Sequence, residues 1–185
     1  MKEKLRTMTQ TAVLLALLIT LQAVTKPLGQ LVTGSCVNAI LALTVLLIGI
    51  RGAVALAVIS PVVAFLLGIA PNVVTVVPIM LANGCFVAVL WLLGRQQQPL
   101  WRKAVAVVAS AGVKFGLLYV LVVKTVCGFA SGALMGKKLG QTVVLAPPML
   151  EKLPGMFTWP QLITALIGAT LALMLVPVLK KALRK

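Results

Sequence analysis

Residues 104–126 read AVAVVASAGVKFGLLYVLVVKTV and place the tightest constraint on the fold. The run is long and apolar enough to cross a bilayer as a helix of about 20 residues. Lys114 stands at its middle. A lysine at the bilayer centre costs about 2.5–3.5 kcal/mol on insertion scales, so the fold must compensate it. The usual compensation is an Asp or Glu on a neighbouring helix. This chain has only two acidic residues, Glu3 and Glu151, and both lie outside the apolar runs. At about 100° per residue, Lys114 falls nearly opposite the midpoint of Gly112 and Gly116, alongside Ser110 and Ala111. The glycine pair is expected to pack on one neighbour while Lys114 points the other way. Its destinations are a cavity, the backbone carbonyls of a neighbour, or lipid with snorkelling, of which lipid is the costliest.

The rest of the composition agrees with a membrane setting. The 185 residues are 61% hydrophobic with mean hydropathy +1.14, whereas soluble domains are about half apolar. Lys and Arg number 17 against 2 acids, and they cluster between apolar runs. That is the positive-inside pattern rather than a nucleic-acid surface. Six spans are expected at about 8–25, 35–50, 53–70, 73–93, 104–126 and 160–179, joined into one all-α six-helix membrane domain. Gly29–Gly34 reads as a loop, Arg51-Gly52 as the close of the second span, Pro71-Asn72 as a tight connection and Pro78 as a kink. Residues 128–159 form the one long connection, with an apolar patch near Val143–Leu150.

Orientation follows from basic residues. Lys2, Lys4, Arg6, Arg51, Arg95, Arg102, Lys103, Lys180, Lys181, Arg184 and Lys185 fall on one side, and Lys26, Lys124, Lys137, Lys138 and Lys152 on the other. The richer side is cytoplasmic, so both termini are expected inside a prokaryotic plasma membrane. The elaborate loops then face outward, as in a protein that captures something from outside.

Several chemistries are excluded. With no histidine and no intramembrane acid, the spans offer no imidazole acid–base pair and no carboxylate relay for proton or sodium coupling. The three cysteines, Cys36, Cys85 and Cys127, have no metal or disulfide spacing. Gly132-Ala-Leu-Met-Gly136-Lys137 has the wrong spacing for a phosphate-cradling loop. The chain is read as a non-enzyme with no cofactor and no metal. If it transports, another subunit supplies the energy.

Polar residues gather in the outer half of the spans. Gln22, Asn38, Asn72, Asn83, Lys114, Tyr119, Trp159 and Gln161 are the candidate substrate-binding residues. Inter-helix hydrogen bonds and interfacial anchoring are the competing reading, especially for Trp159 and Lys124. Small residues also recur at helical steps: Thr9, Ala12, Ala16, Thr20 and Ala23 on the first span, Ala53, Ala57, Ser60, Ala64 and Gly68 on the third, and Thr164, Ala165, Gly168, Ala169 and Ala172 on the sixth. Such seams let helices approach closely in lipid, either within the chain or against a partner protein.

Thr11-Ala12-Val13-Leu14-Leu15-Ala16, Gly34-Ser35-Cys36-Val37-Asn38-Ala39 and the stretch Met156–Gly168 resemble the S-components of energy-coupling factor (ECF) transporters. The resemblance implies a substrate-binding membrane subunit. Ala12 and Ala16 would match the family's alanine-x-x-x-alanine motif and dock a transmembrane coupling subunit, which works with two ATPases. The implied substrate is a vitamin, with cobalamin the nearest branch and folate or another anionic micronutrient the alternative. The Gly-Pro-[Arg/Lys] step and the Ser-Phe-x-Phe-Ser-Pro stretch of the family's pantothenate and hydroxymethylpyrimidine branches are missing at Ile50-Arg51-Gly52 and Asn72–Pro78. A non-transporting membrane assembly subunit and a self-sufficient small transporter are the readings from other classes.

Overall fold

The computed structural model describes residues 2–70, 72–94, 98–139, 142–143 and 145–183. Pro71, Arg95, Val144, Arg184 and Lys185, which entered the loop, patch and charge expectations above, lie outside the described residues. The described chain is overwhelmingly helical: α1 (Lys2–Thr25), α2 (Gln30–Leu47), α3 (Ile50–Leu66), α4 (Val76–Leu93), α5 (Leu100–Leu118), α6 (Ser131–Leu134), α7 (Pro147–Met156) and α8 (Trp159–Leu183). A π-helical segment, Tyr119–Phe129, continues α5, and a two-residue antiparallel pair, Lys138–Leu139 with Thr142–Val143, lies before α7. Five segments are long and apolar enough to cross a membrane, namely Glu3–Leu28, Gln30–Leu47, Val73–Leu93, Leu100–Phe129 and Trp159–Ala182. The remaining apolar helix, α3, is shorter.

Glycine sets several boundaries differently from expectation. Gly29 (φ +90°) starts α2, so most of the expected 29–34 loop is helix. Gly49 (φ +114°), rather than Arg51-Gly52, separates α2 from α3. Arg51 and Gly52 sit in the first turn of α3, where a Cβ on Gly52 would lie 2.8 Å from the Thr11 hydroxyl of α1. Gly68 (φ +65°) follows the end of α3, where the N–H of Ile69 returns to the carbonyl of Ala64 at 2.7 Å. Left-handed backbone is natural for glycine and costly for other residues, so α3 ends short of the expected 70. Pro78 falls in the first turn of α4, where its missing N–H breaks no helical bond; it is therefore a helix-start residue and not a kink. Pro61 lies inside α3.

Packing follows the small-residue seams. On α8, Thr164, Ala165, Gly168, Ala169 and Ala172 are buried, chiefly against α2. A Cβ on Gly168 would stand 2.6 Å from the Ala39 backbone nitrogen and 2.7 Å from the Ser35 carbonyl. On α3, Ala53, Ala57, Ser60 and Ala64 are buried too, in contact with α1, α2 and α4. The Gly112/Gly116 pair behaves otherwise: a Cβ at either meets nothing within 4 Å. The expected glycine seam on α5 is therefore not an internal contact. The face of α5 that packs is the one with Ser110, Ala111 and Lys114.

Two apolar clusters divide the interior. The larger includes Leu18, Leu41, Leu56, Phe86, Leu90 and Val107. The smaller joins Ala82, Leu118 and Val122 to Leu145, Leu153 and Phe157 of the long connection, which caps that end of the bundle. At the other end a groove lined by Glu3, Arg6, Leu47, Ile48, Leu179 and Lys180 brings both terminal helices to the α2–α3 turn. The outer ends of α1 and α8 therefore share the end of the bundle away from the cap.

Gly168→Val is expected to lower the thermal midpoint in detergent, because backbone at 2.6–2.7 Å cannot yield as a flexible side chain would; overpacking of this kind costs about 1–3 kcal/mol. Gly112→Ala, which enters open space, should leave the midpoint unchanged or raise it. Equal midpoints for the two variants would contradict the packing described.

Candidate functional site

Polar side chains buried in an apolar bundle must find one another or a ligand, since each unpaired group costs roughly 1–3 kcal/mol. Here they form a layer between the two apolar clusters. Asn83 follows Ala82 of the cap cluster and precedes Phe86 of the larger one, and Lys114 stands between Ala111 and Leu118 in the same way. The Lys114 ammonium, 3% exposed, donates to Asn38 Oδ1 at 2.5 Å and to Asn83 Oδ1 at 2.6 Å. It also lies 5.5 Å from the centroid of the Phe86 ring, a favourable face for a cation. The Asn38 amide is completed by Nδ2 donating to Thr164 Oγ1 at 3.3 Å, and Thr164 donates to the Gln161 carbonyl at 3.1 Å. The lysine that the sequence left without a carboxylate is thus held by two amide oxygens, which satisfy protons but carry no charge.

Lys114, Asn38, Asn83 and Gln161 line a cavity of about 110 Å³ below the cap. Each of the six longer apolar helices supplies a polar group to its wall: Gln22 from α1, Asn38 from α2, Ser60 from α3, Asn83 from α4, Lys114 from α5 and Gln161 from α8. They occupy two depths. Gln22 and Gln161 lie within a turn of the capped helix ends, whereas Asn38, eight residues along α2 from Gln30, is about 12 Å down at 1.5 Å per residue. Met156 and Phe157 from the end of α7 close the upper wall, and Gln161 Nε2 donates to the Met156 carbonyl at 3.3 Å. The turn after Gly68 brings Ile69 and Ala70 to the rim, where Lys26 Nζ donates to the Gly68 carbonyl at 2.6 Å.

Among the described residues, three buried polar atoms lack any hydrogen-bond partner: Gln22 Oε1, Ser60 Oγ and Asn83 Nδ2. All three belong to residues that line this cavity. Lys114 is the only charged residue on the described wall. The arrangement can therefore bind a small polar molecule. Among the described residues no group of three or more His, Cys, Asp or Glu could hold a metal.

Five of the eight residues expected from sequence, Gln22, Asn38, Asn83, Lys114 and Gln161, come together here. The other three lie elsewhere. Asn72 caps the short turn Val73–Thr75, accepting from the Val74 N–H at 3.2 Å and from Thr75 Oγ1 through its carbonyl at 2.7 Å. Trp159 is 68% exposed and stacks on Phe115 at 5.8 Å. Tyr119 stacks on Phe115 at 6.2 Å with Lys124 Nζ 5.7 Å from its ring. These aromatic and basic groups form a ladder outside the cavity, as interfacial anchors do. Sequence reasoning missed Ser60 as a site residue because it fits a small-residue seam. Its adjacency to Pro61 was the available signal, since proline cannot donate to the Ala57 carbonyl four residues back. The expected docking residues Ala12 and Ala16 are exposed on α1, together with Thr9, Thr20 and Ala23.

Comparisons with protein-family models, with curated proteins and with solved structures return no match for this chain.

Asn83→Leu is expected to destabilise the protein by about 1–3 kcal/mol, because it removes one acceptor from a buried ammonium. Adding Lys114→Met should recover much of that loss, since the cation that needed the acceptor is gone. Chemical unfolding of the single and double variants in detergent measures both effects; purely additive losses would show that the pair is not coupled.

Proposed function

We propose that this chain is a substrate-binding membrane subunit of the ECF S-component type. In this reading all six longer apolar helices, α3 included, cross the membrane, both termini are cytoplasmic and the capped end faces outward. The subunit captures a small anionic micronutrient from outside and passes it to an ATP-driven complex of one transmembrane coupling subunit and two ATPases. The observation that carries the reading is Lys114: a buried cation on a cavity wall, hydrogen-bonded to two amide oxygens, in a chain whose Glu3 and Glu151 carboxylates are both exposed. A ligand that brings its own negative charge completes that site.

Volume bears on the choice of substrate. Pockets for drug-sized ligands run to roughly 300–1,000 Å³, and this cavity is about 110 Å³. A corrinoid or folate would enter only if the cap formed by α7 and its flanks lifted away. The smaller anionic substrate fits the present geometry better and is the reading preferred over cobalamin.

The exposed small-residue face of α1 supports a docking role, because the corresponding faces of α3 and α8 are already used inside the bundle. Expression with a coupling subunit and its two ATPases is expected to yield one co-purifying complex. Ala12→Trp and Ala16→Trp should abolish that complex while leaving the thermal midpoint of the isolated subunit unchanged. Persistence of the complex in both variants would remove the docking assignment, and no complex with any coupling subunit would favour the assembly-subunit reading. Ligand retained through purification, measured by mass spectrometry, should fall by about tenfold or more in Lys114→Ala, the scale of losing one charge-assisted hydrogen bond. Lys180→Ala, at the opposite end of the bundle, should retain ligand as the unmodified chain does.

A further inference from the structure

The unpartnered atoms of the cavity specify more than a charge. Resting on the reading of Lys114 as an anion site, we propose that the ligand is a compact monocarboxylate that also carries a hydrogen-bond donor, an amide N–H or a hydroxyl, along its body. The carboxylate lies deep, between Lys114 and the Asn83 amide, and the donor meets the Gln22 amide oxygen.

The deep end is fixed by Asn83. Its Oδ1 accepts from Lys114, so its Nδ2 is the atom left unpartnered. Turning the amide over would set an NH2 group against an ammonium. An ammonium has three protons, and two are taken by Asn38 and Asn83. One further proton on Lys114 and the NH2 of Asn83 therefore offer two adjacent donors, which suits the two oxygens of one carboxylate. Asn38 cannot take part in the same way, because its Nδ2 is committed to Thr164.

Ser60 and Gln22 mark the second polar place on the wall, and Gln22 sets its requirement. Helical hydroxyls elsewhere in the bundle return to a carbonyl of the preceding turn: Thr25 to Leu21, Ser35 to Leu31, Thr44 to Ile40 and Ser110 to Val107. Ser60, 1% exposed, makes no such bond and faces the cavity with its oxygen unpartnered. Gln22 Oε1, at the shallower level, is an unpartnered acceptor as well. Ser60 can accept or donate, but Gln22 Oε1 can only accept, so a ligand with only acceptors would bury that oxygen unpaired at a penalty of about 1–3 kcal/mol. A dianion is disfavoured because Lys114 is the single charge on the described wall.

Three probes of matched size separate these requirements: N-acetyl-β-alanine; 5-oxohexanoate, in which CH2 replaces its N–H; and N-acetyl-β-alaninamide, which lacks the carboxylate. Calorimetric titration of the purified full chain is expected to give N-acetyl-β-alanine an affinity at least about tenfold above either of the others. In Gln22→Met, which removes the acceptor, the preference over 5-oxohexanoate should collapse while the preference over the amide persists. Equal binding of N-acetyl-β-alanine and 5-oxohexanoate by the unmodified chain overturns the donor requirement and leaves the anion site standing. Equal binding of acid and amide overturns the anion site itself. Absence of binding by all three at about 10 mM, beyond even a millimolar affinity, overturns the ligand class. Co-purification with the coupling subunit is scored separately, so the transporter reading and the ligand class fail independently.

Discussion

The structure turns on a cation that the bundle holds without an anion. Lys114 sits in a layer where both neighbouring clusters are apolar, and its two hydrogen bonds go to amide oxygens from α2 and α4. Dipoles satisfy two of the three ammonium protons but leave the net charge in place, and at low dielectric a net charge acts over longer distances than in water. In the proposed reading, that remaining charge is what an anionic ligand would meet. A buried salt bridge would have given the same lysine a permanent partner and closed the site.

The surrounding architecture serves that layer. Small residues on α3 and α8 let those helices approach their neighbours closely, which brings Ser60 and Thr164 to the polar level. Gly68 ends α3 early and returns the chain across the rim, and α7 delivers Met156 and Phe157 as a cover. The cover has its own apolar cluster with the upper parts of α4, α5 and the π-helical segment. π-Helical turns are rare and often mark functional places in helices, and this one, Tyr119–Phe129, is the segment of the Lys114 helix that packs against α7.

Much of this was legible in the chain itself. Hydropathy alone located the apolar helices, because a bilayer forces backbone polar groups into helices and side chains into an apolar solvent. The rarity of acids made Lys114 conspicuous, and a polar residue in an apolar run stands out whatever its partners, so Gln22, Asn38, Asn83 and Gln161 were also visible. Tertiary structure decided the rest. Helix ends at Gly29, Gly49 and Gly68 depended on which glycines take left-handed backbone, a choice made by the turn and not by composition. Asn72, Tyr119 and Trp159 looked like site residues because polarity and aromaticity do not report direction. Asn72 caps a turn, and the aromatics stack outside the cavity.

By itself, then, the sequence determined that the chain is an apolar helical bundle with one uncompensated cation. The amide pairing of that cation, the unpartnered oxygen of Ser60 and the exposure of the α1 small-residue face are decided only when helices distant in sequence are brought together. The physical reason is that hydropathy is a property of each residue, whereas satisfaction of a buried donor or acceptor is a property of pairs. Asn38 and Lys114 are 76 positions apart, and no periodicity in either helix encodes which side chain the other will meet.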